Sequence, residues 1–299
     1  MNSLVWPKEI ISIIDNPGLQ WSHTGSNLCL DFHGNPTGAK LVVFSDGNHH
    51  MALEESLGRF ANQHQCHHIF YLTTPPQVYV DLLKTGSITL GNLQLSLTPH
   101  LCMGPPPVLL GLNQAGFCQT PSPFMRSRGF VFLIKKNNPK KITGLADLKR
   151  PELKLFISNP QREQASFNAY FAALCALAKV QCGTDDFIHA LLKDPQRICY
   201  GEAIHHREAP QVIADNHADV AVLYYHLALR YTRIFPQFFE MIFLGKNPQS
   251  PETPEADNSL FHIALAQQPG KYGEQLWHFL HSSETTAIYT KHGLERESR

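Results

Sequence analysis

Short apolar runs that end in a polar loop and give way to helically spaced residues recur along this chain, and that recurrence restricts it to the α/β classes. Lys40-Leu41-Val42-Val43-Phe44-Ser45 is the first such run. Asp46-Gly47-Asn48 breaks it, after which Met51, Leu53, Leu57 and Phe60 recur on one helix face. His68-Ile69-Phe70-Tyr71-Leu72 repeats the arrangement: Thr73-Thr74-Pro75-Pro76 ends it, and a helix at 78–84 follows and stops near Gly86. Strand, loop and helix in alternation predict a parallel sheet.

Residues 90–97 read as a third, weaker strand, and Gly104-Pro105-Pro106-Pro107 as a loop. The strongest strand is 130–134, followed by a lysine-rich turn. Another strand, 153–158, opens through Asn159-Pro160 into a loop and a helix at 167–180. Helices at 185–192 and 209–214 come next, then a strand at 218–225 running into a helix at 226–231. A proline-rich loop at 248–254, a strand at 260–266 and helices at 272–280 and 284–291 complete the order. Ahead of all these, 7–14 has room for a turn or two of helix and 28–32 alternates like a strand.

Composition then removes whole classes of function. The 25 basic and 25 acidic residues of this 299-residue chain cancel, so the positive field that a nucleic-acid partner needs is missing. No window approaches the roughly 20 apolar residues of a membrane span. The seven cysteines are scattered without a CxxC pair, which predicts free thiols rather than a disulfide framework. Met1 to Glu9 lacks the basic start, apolar run and small-residue cleavage site of a secretory signal, so the chain as it stands reads as cytoplasmic. With no GxSxG, P-loop or GxGxxG motif after a strand, no catalytic residue is assigned and the protein reads as a non-enzyme. Seventeen histidines, some in adjacent pairs, are the departure that demands chemistry.

Taken together, Leu41 to Phe44 with its polar loop, the series 130–135, 144–148 and 155–160, the strand from Ala218 to Tyr224, and the closing segments 265–266, 279–280, 282–287 and 289–294 resemble the type 2 periplasmic-binding proteins. Within them the order is similar to the molybdate- and tungstate-binding proteins of ABC importers. The resemblance implies an α/β fold of two domains with a central mixed sheet in each and a ligand cleft between them: a 1–37 extension, a discontinuous domain at 38–132 and 259–299, and a second domain at 133–258. It implies hinge closure by a monomer, an ABC-type permease as partner, an oxyanion such as molybdate or tungstate as ligand, no required cofactor, and a periplasmic location. Donors carried over by position are Asn48 in the first loop, Thr73 and Thr74 in the second, the amides of Ala165 and His206, and the hydroxyl of Tyr224. Serine hydroxyls and helix N-terminal amides suit an anion without a countercharge.

This chain departs from that pattern in its first two loops, where Asp46, Asn48, His49, His50, Thr73 and Thr74 stand in place of serines. A carboxylate repels an oxyanion. His49 or His50, His205 or His206, and Asp46 or Glu202 would instead suit a divalent transition metal, because neutral imidazole is its commonest ligand. Adjacent residues point apart, so one of each pair serves at most. A protonated His205 or His206 that neutralises an anion is a third option. Asp46 reads as a helix N-cap before a ligand, His67-His68 as surface, Ser158-Asn159-Pro160 as a turn, and Arg126, Arg128 and Arg162 as an anion clamp or surface charge. A small inorganic ligand is common to the first readings; a cytosolic sensor or enzyme that reuses the fold is the alternative.

Overall fold

The computed structural model describes Leu4 and residues 31–90, 92–245 and 259–297. The expected helix at 7–14, most of the 28–32 strand and the 248–254 loop lie outside them. The described chain divides into a flanking unit, residues 31–126 and 259–297, and an inserted unit, residues 127–245 with Leu4.

In chain order the first flanking segment holds β1 (Phe32–His33), β2 (Leu41–Ser45), α1 (His50–His64), β3 (Ile69–Thr73), α2 (Pro76–Thr85), β4 (Ile88–Leu90), β5 (Leu93–Leu95), β6 (Leu101–Gly104), α3 (Pro106–Gln114) and β7 (Ser122–Ser127). The inserted unit holds β8 (Phe130–Lys135), β9 (Leu155–Ile157), α4 (Gln164–Cys182), α5 (Asp186–Leu192), β10 (Ile198–Tyr200), α6 (His205–Ala214), β11 (Val220–Tyr224), α7 (Tyr225–Ile234) and β12 (Phe239–Phe243). The chain returns through β13 (Leu260–Leu265), α8 (Gly270–Leu280), α9 (Ser283–Lys291) and β14 (Leu294–Arg296).

The flanking sheet has the order β1-β3-β2-β6-β13-β7-β14. β2 runs parallel to both β3 and β6, while β13 is antiparallel to β6 and β7. Both faces are covered, which explains the unbroken apolar run of β2. Leu41 and Val43 pack with Leu53, Phe60, Leu276 and Tyr289, whereas Val42 and Phe44 pack with Tyr79, Leu82 and Leu109. Burying each such side chain contributes about 1.5–3 kcal/mol relative to exposure.

The inserted sheet has the order β10-β9-β11-β8-β12, with β9 parallel to β10 and β11 and β8 antiparallel to β11 and β12. Phe130, Phe132 and Ile134 face Tyr170, Leu174 and Ile188; Val131 and Leu133 face Ala209, Ile213, Tyr231 and Leu4.

Three expectations need correction. The 90–97 strand is no part of the main sheet: β4 and β5 pair with each other alone, and the third parallel strand is β6. The proline run at 105–107 is the start of α3 and not a loop, because a helix's first turn needs no amide donors and accepts proline there. Likewise α6 begins at His205 rather than at 209, which moves His205 and His206 from a loop into a helix's first turn. Among the described residues no helix is long and apolar enough to cross a membrane.

Candidate functional site

In an open α/β sheet the loops at the carboxyl ends of parallel strands carry the helix N-termini, and ligands gather there. Each unit has such a cluster.

In the flanking unit the cluster follows β2 and β3. Thr74 NH donates to the Ser45 carbonyl at 3.0 Å, which holds the two strand ends together. Ser45 Oγ donates to the Asp46 carbonyl at 3.1 Å and lies 3.1 Å from His49 Nε2. Since the serine proton is spent on that carbonyl, His49 Nε2 carries a proton and donates to Ser45; the neutral ring then accepts from the Tyr289 hydroxyl, 3.0 Å from Nδ1. Burial holds His49 neutral, with its pKa lowered to about 3. Both its nitrogens are therefore engaged, and a metal would have to break one of these bonds.

Asp46 is 2% exposed and does not cap α1. His49 occupies the cap position without a side-chain cap bond, and Asp46 Oδ1 instead accepts from Asn48 NH at 3.3 Å and lies 3.4 Å from His49 Nε2. The expected N-cap is thus a tighter turn, closed two residues on, of the kind aspartate favours. Asp46 Oδ2 is buried with no hydrogen-bond partner, and burial raises the carboxyl's pKa to about 7 despite the Asn48 amide. Thr73 spends its hydroxyl on His33 at 3.0 Å, while the buried Thr74 hydroxyl has no partner. His50 sets its Nδ1 on the Gly47 carbonyl at 2.8 Å.

In the inserted unit the cluster follows β9 and β10. Asn159 accepts from the Gln161 amide, and Glu163 ends the loop at the cap position of α4. Glu163 Oε2 accepts from His205 NH at 2.9 Å. Burial lifts the Glu163 pKa to about 7, with the His205 amide opposing and the Glu208 charge adding to the rise. Glu208 reaches back over its own helix to accept from Glu202 and Ala203 NH at 2.7 Å and from Ile204 NH at 2.9 Å. Three amides of the loop that leads into α6 are satisfied by this one carboxylate.

The His205 ring is fixed between Phe156 and Tyr170, at 4.8 and 5.3 Å between centroids. It bonds the Phe156 backbone, which leaves Nε2 buried without a partner. Desolvation lowers its pKa to about 3, and that of His206 to about 4 with help from the Arg230 charge. His206 Nε2 and the buried Ser158 Oγ also lack partners.

Of the other expected residues, Asn48 sits half-buried in the turn before α1 and Ala165 is exposed in the first turn of α4. Tyr224 ends β11 in a nest of rings formed by Phe130, Tyr170 and His226. The expected metal donors do not gather within either unit: Asp46 meets His49 alone, and His205 and His206 follow each other on α6, about 100° apart around its axis. Arg126 pairs with Glu295, Arg128 lies over the Tyr225 ring at 5.8 Å, and Arg162 donates to the Glu202 carbonyl. Sequence reasoning missed Glu163, Glu208 and Tyr289; an acid just before a helix and another in its first turn were the available signals for the two glutamates.

A profile of the bacterial extracellular solute-binding proteins matches residues 107–295. No curated protein matches the chain. Among solved structures, PEB3 from Campylobacter jejuni is similar with a TM-score of 0.60 at 14% identity, over 86% of this chain and 100% of that one. The periplasmic molybdate-binding protein of Azotobacter vinelandii has a TM-score of 0.54 at 16% identity, over 87% and 100%. Iron-bound HitA from Pseudomonas aeruginosa has 0.54 at 14%, over 84% of each. Likeness at such identity is likeness of fold, and the fold is type 2 periplasmic-binding-protein-like.

Proposed function

The chain belongs to the bacterial extracellular solute-binding proteins, and we propose that it captures a small oxyanion of the molybdate kind together with a proton and hands it to an ABC-type permease. Solute-binding proteins of this type hold and release, and they catalyse nothing. What supports the oxyanion is the set of buried polar atoms without partners: Asp46 Oδ2 and Thr74 Oγ1 in one unit, Ser158 Oγ and His205 Nε2 in the other, all at carboxyl ends of parallel strands. Leaving such atoms buried and unpaired costs about 1–3 kcal/mol each, and a ligand that pairs them recovers it.

The proton follows from the atoms involved. With its other nitrogen donating to a backbone carbonyl, neutral His205 presents a lone pair at Nε2, and an ionised Asp46 presents negative charge; neither favours a bare anion. Asp46 titrating near pH 7 becomes a donor when protonated, and a protonated His205, or an OH on the ligand itself, satisfies Nε2. The charge conflict seen in the sequence is removed in this way.

The lone pair of His205 also favours a second reading, a divalent metal. The two differ in pH slope, since anion capture takes up a proton and metal capture releases one. Thermal melting of the unliganded protein with molybdate, tungstate, sulfate, phosphate, zinc or copper, at pH 6 and pH 8, separates them. A ligand at one hundred times Kd adds about 2.7 kcal/mol of stability. Stabilisation by an oxyanion, larger at pH 6, is the expected result. Stabilisation by zinc or copper alone, larger at pH 8, overturns it in favour of the metal, and no shift with any of the six overturns both.

A further inference from the structure

We propose that Cys175, Asp185 and His189 form a separate site for a divalent transition metal, of the zinc or cobalt kind, on the helical side of the inserted unit. The three offer one thiol sulfur, one carboxylate oxygen and one imidazole nitrogen, all within 4.8 Å of one another, and among the described residues no other group of three does so. Asp185 Oδ2 and His189 Nε2 are 3.5 Å apart. Donors around a tetrahedral zinc, at bond lengths of about 2.0–2.3 Å, sit about 3.3–3.7 Å from each other, so a small contraction suffices.

The local sequence sets this up. Helix α4 carries Cys175 and ends at Gly183, whose φ of 78° lies in the left-handed region that glycine alone enters without cost. The chain turns there, and Asp185 stands at the cap position of α5 with His189 one turn later on the same face. Phe171 meets the His189 ring edge to face at 5.2 Å and limits its rotation. Burial is graded, with Cys175 9% exposed, the Asp185 side chain 15% and that of His189 51%, so an ion enters from the histidine side. One thiolate with one imidazole and one carboxylate selects borderline transition metals over calcium or magnesium, and the fourth position falls to water.

Two groups hold the place at present. Lys179 Nζ lies 3.1 Å from Asp185 Oδ2, and burial with the Asp185 charge pushes the Cys175 thiol up to about 11, so that it keeps its proton. Metal binding forms the metal–sulfur bond, breaks S–H, and releases that proton to solvent. Apparent affinity therefore rises about tenfold per pH unit below the thiol's pKa.

Titrating the full chain with cobalt under reducing, metal-free conditions tests this. One equivalent produces a near-ultraviolet thiolate-to-cobalt band, which zinc displaces and molybdate leaves untouched. Cys175→Ser removes the band, while Cys182→Ser keeps it. His189→Ala, at an exposed position that leaves folding intact by circular dichroism, weakens cobalt at least tenfold, and Lys179→Met strengthens it about tenfold. No thiolate band in the native chain, or a band of unchanged affinity in both Cys175→Ser and His189→Ala, overturns the proposal, whatever the oxyanion experiment shows.

Discussion

The strand-end clusters of the flanking and inserted units are built from the same parts, an acid, a histidine and a hydroxyl, with opposite assignments. In the flanking unit the histidine is consumed: His49 is tied to Ser45 and Tyr289, and it is the acid, Asp46, that keeps an oxygen without a partner. In the inserted unit the acid is consumed, Glu163 holding the His205 amide, and it is the His205 ring that keeps a nitrogen without one. A repeated strand-loop-helix scaffold thus fixes where polar atoms stand, while a single distant contact decides which of them is left for a ligand.

The largest expected effect tests the consumed histidine. His49→Ala leaves the buried Tyr289 hydroxyl without its His49 partner, removes the donor that Ser45 accepts from and opens a void, so chemical denaturation should show a loss of about 3–5 kcal/mol. His205→Phe keeps the ring volume between Phe156 and Tyr170 and should cost under about 1.5 kcal/mol of stability. A comparable loss in both variants would abolish the contrast between the units.

Next in size is the pH response of the open acid. Unfolded chain ionises Asp46 near the ordinary value of 3.8, whereas the folded chain keeps the proton to about 7. Between those values the folded state binds more protons, so stability falls as pH rises, by about 1.4 kcal/mol per pH unit for this one group. Asp46→Asn should flatten that part of the stability profile and melt higher than the native chain at pH 8. An unaltered profile would place the titration elsewhere.

Ligand affinity comes third. Thr74→Val and Ser158→Ala remove buried hydroxyls without partners, so each should raise the melting temperature of the free protein, and loss of a hydroxyl that the ligand uses should weaken oxyanion binding about tenfold by calorimetry. An effect from only one of them would confine the ligand to one unit. Smallest of all, Glu208→Gln keeps one acceptor for the Ala203 and Ile204 amides and turns an NH2 toward the exposed Glu202 amide in the loop before α6; a cost of about 1 kcal/mol is expected in thermal melting.

How far the sequence carried this depended on whether a feature was local. β2 and β3 are legible because strands covered on both faces lack polar alternation, a signal contained in the four successive apolar residues Leu41 to Phe44 and Ile69 to Leu72. β6 is four residues long between His100 and prolines, too short to show a period, whereas the neighbouring leucine-rich hairpin reads as a strand in its place. The edge strands β10 and β12 are only partly buried and carry no pattern either. The same division holds at the site. Thr74, Asp46 and His205 were named because strand ends are visible, but what His49 does is decided by Tyr289, 240 residues away, and Glu163 meets His205 across 42. Contacts of that range leave no local trace.

The place of β13 has a consequence for synthesis. This strand lies between β6 and β7 and pairs with both, yet it follows them by well over a hundred residues. Made from the amino end, the chain presents β6 and β7 to the cell with an empty slot between them, and it can complete the whole inserted unit before the strand that fills the slot exists. Until then the flanking unit offers open backbone edges, the usual template for wrong pairing. Truncation ahead of residue 259 should accordingly yield a protein that aggregates, and the final segment acts on the nascent chain as a clasp.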